Sequence, residues 1–211
     1  MTLLARVDHL VYATPDLQRG MREIELLVGI SPTHGGQHFG LGTRNALVAL
    51  GPSAYLEIIG PDPEQPPPDV SRWFGIDELE GSRLTAWCVK ERDLEGLRKR
   101  AVERSVPIGA VKAGARYRPD GVQLSWRFTD PFARVADGIV PFFIDWGDSP
   151  HPASSAAVGH ATLVRLRAVH PKADDVRRQL DSLGLDLPVK PGKSPALIAT
   201  LAGAYGPVDL R

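Results

Sequence analysis

His9, His38 and Glu57 fall within the first sixty residues, each in a segment that reads as a strand. Two imidazoles and one carboxylate are the usual minimal set for holding a divalent metal with coordination positions left open for substrate. Glu57 sits in the apolar run Tyr55-Leu56-Glu57-Ile58-Ile59. A lone carboxyl in such a run needs a partner, because burial without one is costly. A metal ion is one partner; an arginine is the other, with Arg44 the nearest. Taken singly, His9 also suits a core histidine bonded to backbone.

The remaining chemistry-bearing residues read as structural. His34 and His38 have the spacing of a helical zinc pair, but Gly35-Gly36 between them argues against a helix, so His34 is read as a loop residue. Gly40-Leu41-Gly42 lacks the third glycine and the preceding strand of a dinucleotide loop. His151, His160 and His170 lie beside prolines or loops, with no acid at ligand spacing. Cys88, the only cysteine, lies in an apolar run and reads as a buried thiol; no intrachain disulfide can form. Asp130 before Pro131 suits a turn.

The chain has 211 residues and balanced charge, with 25 basic and 25 acidic side chains. That is enough length for a real core. Nucleic-acid and membrane-surface partners need clustered positive charge, which the balance argues against. The run 98–100 is basic, but Glu95 and Glu103 flank it, as on a solvated helix face. No window approaches the apolar length of a membrane span, and a soluble, cytoplasmic protein is expected.

The elements that must position the three donors repeat along the chain. In 6–13, Val7, His9 and Val11 alternate with Asp8, Leu10 and Tyr12, so His9 is expected to share a face with Val7 and Val11. Thr14-Pro15-Asp16 supplies a cap, a proline and an acid for a helix carrying Leu17, Met21, Ile24 and Leu27 or Val28, stopped by Gly29. Strands at 46–50 and 54–59 follow, with glycine-rich 38–45 open to a further short strand. Five prolines in 61–69 read as an extended, solvated linker. The pattern restarts with a strand at 84–89, a helix opened by Asp93, and strand-like runs at 122–128 and 139–146. After a loop at 147–157 it returns as a strand at 161–169, a helix at 171–183, and strands at 196–201 and 208–210. An echo of 46–50 in 196–201 supports the repeat. The fold class is α+β.

Asp8-His9-Leu10-Val11-Tyr12-Ala13, Gly35-Gly36-Gln37-His38, Gly42-Thr43-Arg44-Asn45-Ala46-Leu47 and Tyr55-Leu56-Glu57-Ile58-Ile59 resemble a glyoxalase-like domain of the vicinal oxygen chelate superfamily, which includes glyoxalases, bleomycin resistance proteins and dioxygenases. Pro141-Phe142-Phe143-Ile144-Asp145-Trp146 matches the end of the second unit.

The resemblance implies paired βαβββ modules whose mixed sheet curls into a cup around a metal. The domain spans 1–148, with modules at about 1–60 and 82–148 and the linker 61–81 between them. A third, βαββ-like unit at 158–211 is placed to cover the open side, restrict substrate size or complete a dimer. His9 matches the first-strand ligand and Glu57 the fourth-strand ligand. Many members take a second histidine from the opening strand of module two, where this chain has Thr85-Ala86-Trp87-Cys88; His38 is the replacement.

The cofactor implied is Zn, Ni, Mn or Fe, and the partner is a small-molecule substrate, with a homodimer expected. Asp145 is the candidate base, as a detachable ligand or a neighbour. Arg44, Asn45, Trp126 and Phe143 are assigned to substrate binding, with Trp146 and Tyr55 as further walls. Lyase or isomerase chemistry through an enolate-like intermediate ranks first. A sequestering protein without catalysis and a ferrous dioxygenase are the alternatives.

Overall fold

The structure, a computed structural model, describes residues 2–118, 120–155 and 160–211. A one-turn helix α1 (Leu3–Arg6) leads into β1 (Val7–Ala13), α2 (Leu17–Val28), β2 (Thr33–His38), β3 (Thr43–Ala49) and β4 (Tyr55–Pro61). The order recurs as β5 (Arg83–Lys90), α3 (Leu94–Glu103), β6 (Val111–Tyr117), β7 (Gln123–Thr129) and β8 (Phe142–Asp145). It recurs again as β9 (Thr162–His170), α4 (Ala173–Ser182), β10 (Val189–Pro191), β11 (Ala196–Gly203) and β12 (Gly206–Leu210).

The first eight strands form one sheet in the order β2-β3-β4-β1-β5-β8-β7-β6. β1 and β5 pair antiparallel at its centre, and each pairs parallel with the last strand of its own module. The two modules therefore have the same internal pairing on either side of the β1–β5 seam. The sheet curls until its edges meet: Arg116 on β6 donates to the Gly35 carbonyl on β2 at 2.7 Å. Gly36 makes this approach possible, since a Cβ there would stand 2.5 Å from the Tyr117 carbonyl oxygen. The sheet is thus a nearly closed cup.

Local chemistry sets the helices on its outer face. Asp16 is the cap of α2, accepting from the Arg19 amide at 3.0 Å, while Thr14 bonds Asp16 instead of capping. Gly29 ends the helix at φ 73°. Val28, not Leu27, faces the core, and Leu27 is exposed. Leu17, Ile24 and Val28 of α2 share one core with Leu94, Leu97 and Ala101 of α3, and with Leu10 and Trp87 from the sheet.

The third unit gains a strand, β10, over the expected βαββ, and it is not a third copy of the module. Its sheet runs β10-β9-β11-β12, with β9 internal, whereas β1 pairs with the last strand of its module. Its Leu163, Leu166, Ala199 and Leu201 join the outer-face core, and Gly203 closes on the Val28 carbonyl. The unit therefore backs the sheet and does not roof the cup. The expected start of this unit, at 158, and the end of the expected loop, at 157, lie outside the described residues.

The proline-rich segment 61–69 is mostly exposed, as expected of a linker, but it is pinned to the sheet at one point. Asp62 is buried, and its amide bonds the Gly42 carbonyl at 3.0 Å. Arg72 Nε bonds the same carbonyl at 2.9 Å. A tight 3-10 turn (Trp73–Glu78) then drives Trp73 and Phe74 into the cup. Phe74 takes φ 59°, a conformation that a bulky side chain seldom adopts.

Candidate metal centre and its chamber

β1 does not keep strict alternation. Val7 pairs with Val89 and His9 with Cys88, so one extra residue, Asp8, is bulged out of the ladder. Neighbours on a regular strand point to opposite faces, but the bulge lets Asp8 Oδ1 accept from His9 Nδ1 at 2.8 Å. Val7 consequently packs in the outer core and Val11 in the inner one, against the single shared face expected for Val7, His9 and Val11. His9 Nε2 is left facing Glu57 Oε2 at 3.9 Å, and its ring stacks on Tyr55 with centroids 4.7 Å apart.

On the other side, His38 closes β2. Its Nδ1 is 3.1 Å from Thr43 Oγ1, and its Nε2 is 3.8 Å from Glu57 Oε1. Asn45 Nδ2 donates to Glu57 Oε1 at 2.6 Å and reaches His38 Nε2 at 3.4 Å. Each imidazole thus has Nδ1 tied off and Nε2 turned on one carboxyl, the orientation that outer partners impose on metal-binding histidines. Arg44 is not the partner of Glu57; its guanidinium lies near Asp62 and Glu64 instead.

Among the described residues no three His, Cys, Asp or Glu side chains stand as a ready-formed coordination shell. The donor spacing is compatible with a divalent ion, with His9 approaching one Glu57 oxygen and His38 the other. Two ligands each about 2.1 Å from one ion are at most about 4.2 Å apart, and both nitrogen–carboxylate separations, 3.8 and 3.9 Å, lie inside that limit. Asn45 donates to the lone pairs a cation would take, and its own Oδ1 is buried without a partner.

The electrostatics follow from burial. Burial alone would raise the Asp8 carboxyl, but hydrogen bonds from His151 and His9 outweigh it and hold the group far below the usual carboxylate range. Burial pushes the His38 imidazole down to about 4, against the pull of Glu57, so it is neutral near pH 7. Burial likewise raises the Tyr55 phenol and the Cys88 thiol well above their ordinary values. Cys88 is an inert core thiol.

His9, His38, Asn45, Tyr55 and Glu57 face Trp73, Phe128 and Phe142 across a chamber of about 40 Å³. That is room for an ion and a few waters. A groove of about 290 Å³ adjoins it, sharing His38, Trp73, Trp126 and Phe128.

A glyoxalase-like domain family model matches residues 7–184. The chain belongs to this glyoxalase-like family, and with it to the vicinal oxygen chelate superfamily. A hypothetical protein from Staphylococcus aureus is similar in fold, at TM-score 0.68 and 14% identity, over 90% of this chain and 87% of that one. Methylmalonyl-CoA epimerase from Mycobacterium tuberculosis aligns at TM-score 0.42 and 19% identity, over 68% and 88% of the two chains. The epimerase of Streptomyces coelicolor, in complex with 2-nitronate-propionyl-CoA, aligns at 0.45 and 17%, over 69% and 96%. No curated protein matches. No helix among the described residues is long and apolar enough to cross a membrane.

Within this glyoxalase-like cup, strand parity sorts the remaining residues. On β8 and its continuation, Phe142, Ile144 and Trp146 line the chamber. Phe143 points the other way, into the core with Trp87 and Leu94. Asp145 also lies off the chamber; its Oδ1 accepts from the Gly147 amide at 3.0 Å, beside an open outer hollow. Asn45 and Trp126 line the chamber, whereas Arg44 does not.

His151, read from sequence as structural, and Arg116, given no role there, belong to the site, and Trp146 supports it beyond its expected place as a wall. His151 Nε2 is 3.1 Å from Asp8 Oδ2, and Trp146 Nε1 donates to the same carboxyl at 3.2 Å. Arg116 is buried in the chamber wall. The His151–Asp8 contact spans 143 positions of sequence, so no local spacing signals it. His170 similarly meets Asp137 at 3.1 Å, away from the site.

Proposed function

We propose that this glyoxalase-like chain is a metal-dependent enzyme acting on a small molecule that carries two adjacent oxygens, through lyase or isomerase chemistry. The observation that supports this best is the pair of imidazoles, each fixed at Nδ1 by Asp8 or Thr43, with both Nε2 atoms directed at Glu57. His9, His38 and Glu57 would hold the ion, of the Zn, Ni, Mn or Fe class. When bound, it supplies Lewis-acid stabilisation for negative charge developing on the substrate oxygens.

This chain's own residues supply the rest. Asp8 fixes the His9 ring. Asn45 holds one Glu57 oxygen and leaves the other toward His9. Among the described residues Glu57 is the only carboxyl lining the chamber, so in this reading it takes the substrate proton in place of Asp145. Trp73, Phe128 and Phe142 exclude water. Residues 1–148 are the catalytic unit, 158–211 a buttress, and the assembly a homodimer; sedimentation velocity tests the last point.

A sequestering role is the second reading, favoured by the inner face of β5, which carries Ala86 and Cys88 and no imidazole. Metal analysis of protein purified without chelator separates the two. Near-stoichiometric metal in the wild type, lost in His9→Gln and Glu57→Gln, supports the enzyme. Metal-free protein that binds apolar ligands regardless of chelator rejects it.

A further inference from the structure

Arg116 is a charged group in the chamber wall whose chemistry the proposed function leaves unused. It is 4% exposed, and its only protein hydrogen bond among the described residues is from Nη1 to the Gly35 carbonyl at 2.7 Å. Among the described residues no carboxylate forms an ion pair with it. The other cations nearby are taken: Lys112, which lines the adjoining groove, is held by Asp130 at 2.5 Å, and Arg44 lies among Asp62 and Glu64. Its remaining nitrogens make no protein hydrogen bond among the described residues, and the side chain lines the chamber.

A guanidinium out of water with most of its donors unmatched is costly unless an anion completes it. Its planar fork suits a carboxylate, which it can meet with two parallel N–H bonds. We propose that Arg116 binds the carboxylate of an organic-acid substrate, whose apolar or aromatic body lies along the groove between Phe39 and Phe132. Both rings are exposed at the groove wall, at 62% and 41%. The groove shares His38, Trp73, Trp126 and Phe128 with the chamber wall, and in this proposal one small acid spans the two, reaching Arg116 from the groove. This deepens the proposed function and rests on its reading of the chamber as the substrate site.

The test uses chelator-treated protein, so that no metal contributes to carboxylate binding. Calorimetry compares mandelate with mandelamide, which differ in the charged group alone. The wild type is expected to favour the acid by about tenfold or more, the scale of a charge-assisted hydrogen-bonded pair. Arg116→Gln is expected to erase that preference while keeping the melting transition, and Arg116→Lys to retain a reduced one. Equal binding of acid and amide, no binding of either, or a full preference in folded Arg116→Gln overturns the assignment. If the glutamine variant does not fold, the lysine variant decides, and an undiminished preference there overturns it. Failure of metal uptake in the wild type would instead reject the metal reading and leave this result standing.

Discussion

The two halves of the cup share one topology and divide the chemistry. The inner face of the first module carries His9, His38, Asn45 and Glu57; that of the second carries Cys88, Trp126, Phe128, Phe142 and Ile144, with Arg116 at its edge. Each half pairs its first strand parallel to its last. The backbone therefore offers similar inward positions, and side-chain type, together with the bulge at Asp8 on β1, decides which half holds donors and which holds walls. One half can gather polar groups because Asp8, Thr43 and Asn45 satisfy them, while the other keeps water out.

The largest test of this division is a matched pair of substitutions. His9→Ala is expected to abolish bound metal by elemental analysis, with the fold retained. Phe128→Ala is expected to keep metal stoichiometry but to cost about 3 kcal/mol or more in denaturant unfolding, the usual price of a buried aromatic. Metal loss in both variants would dissolve the distinction between halves.

The pH response should also belong to the polar half. Folding lowers the His38 imidazole from 6.5 to about 4, so the folded chain binds fewer protons there than the unfolded chain. Its contribution is complete above the unfolded value and is lost as pH falls from about 6.5 toward 4, amounting to roughly 3 kcal/mol. Urea titrations of chelator-treated protein read this slope, and His38→Gln should flatten it. Asp8 acts in the same direction but only below the ordinary carboxylate range.

Next in size is Asp8→Asn, which leaves the donors in place but loosens the ring of His9. Metal affinity is expected to fall about 10- to 100-fold, read by competition with a chromophoric chelator; an unchanged affinity would mean that the bulge has no bearing on the metal. Gly36→Ala strikes the seam between the halves, where the new Cβ meets the Tyr117 carbonyl. It should destabilise by about 1–3 kcal/mol. Smallest is Asp16→Ala on the outer face, expected to cost about 1 kcal/mol of stability with metal content untouched.

Much of the fold was legible in the chain. Strand period, the acids and glycines at helix ends, and the recurring element order located most strands and all three long helices. The βαβββ module came from the family resemblance, and the strand Val111–Tyr117 was not read from the pattern. The pattern could not separate the third unit from the first two, because pairing partners are not written in element order. The segment 61–69 is mostly exposed, as its prolines suggest, but nothing in the pattern signals that Asp62 is buried or that Trp73 and Phe74 line the cup. At the site, His9, His38 and Glu57 were visible by residue type. Phe143 and Asp145 were off by one position, since a single step along β8 exchanges the cup face for the outer face.

Residue type and spacing by themselves determined which groups could bind an ion and which segments became strands and helices. Only the folded chain decided what those groups face. A bulge at Asp8 turned His9 toward Glu57 and brought His151 to its support from the far end of the domain, and the meeting of β2 with β6 set Arg116 into the wall. Such choices depend on register and closure among strands remote in sequence, and no local periodicity encodes them.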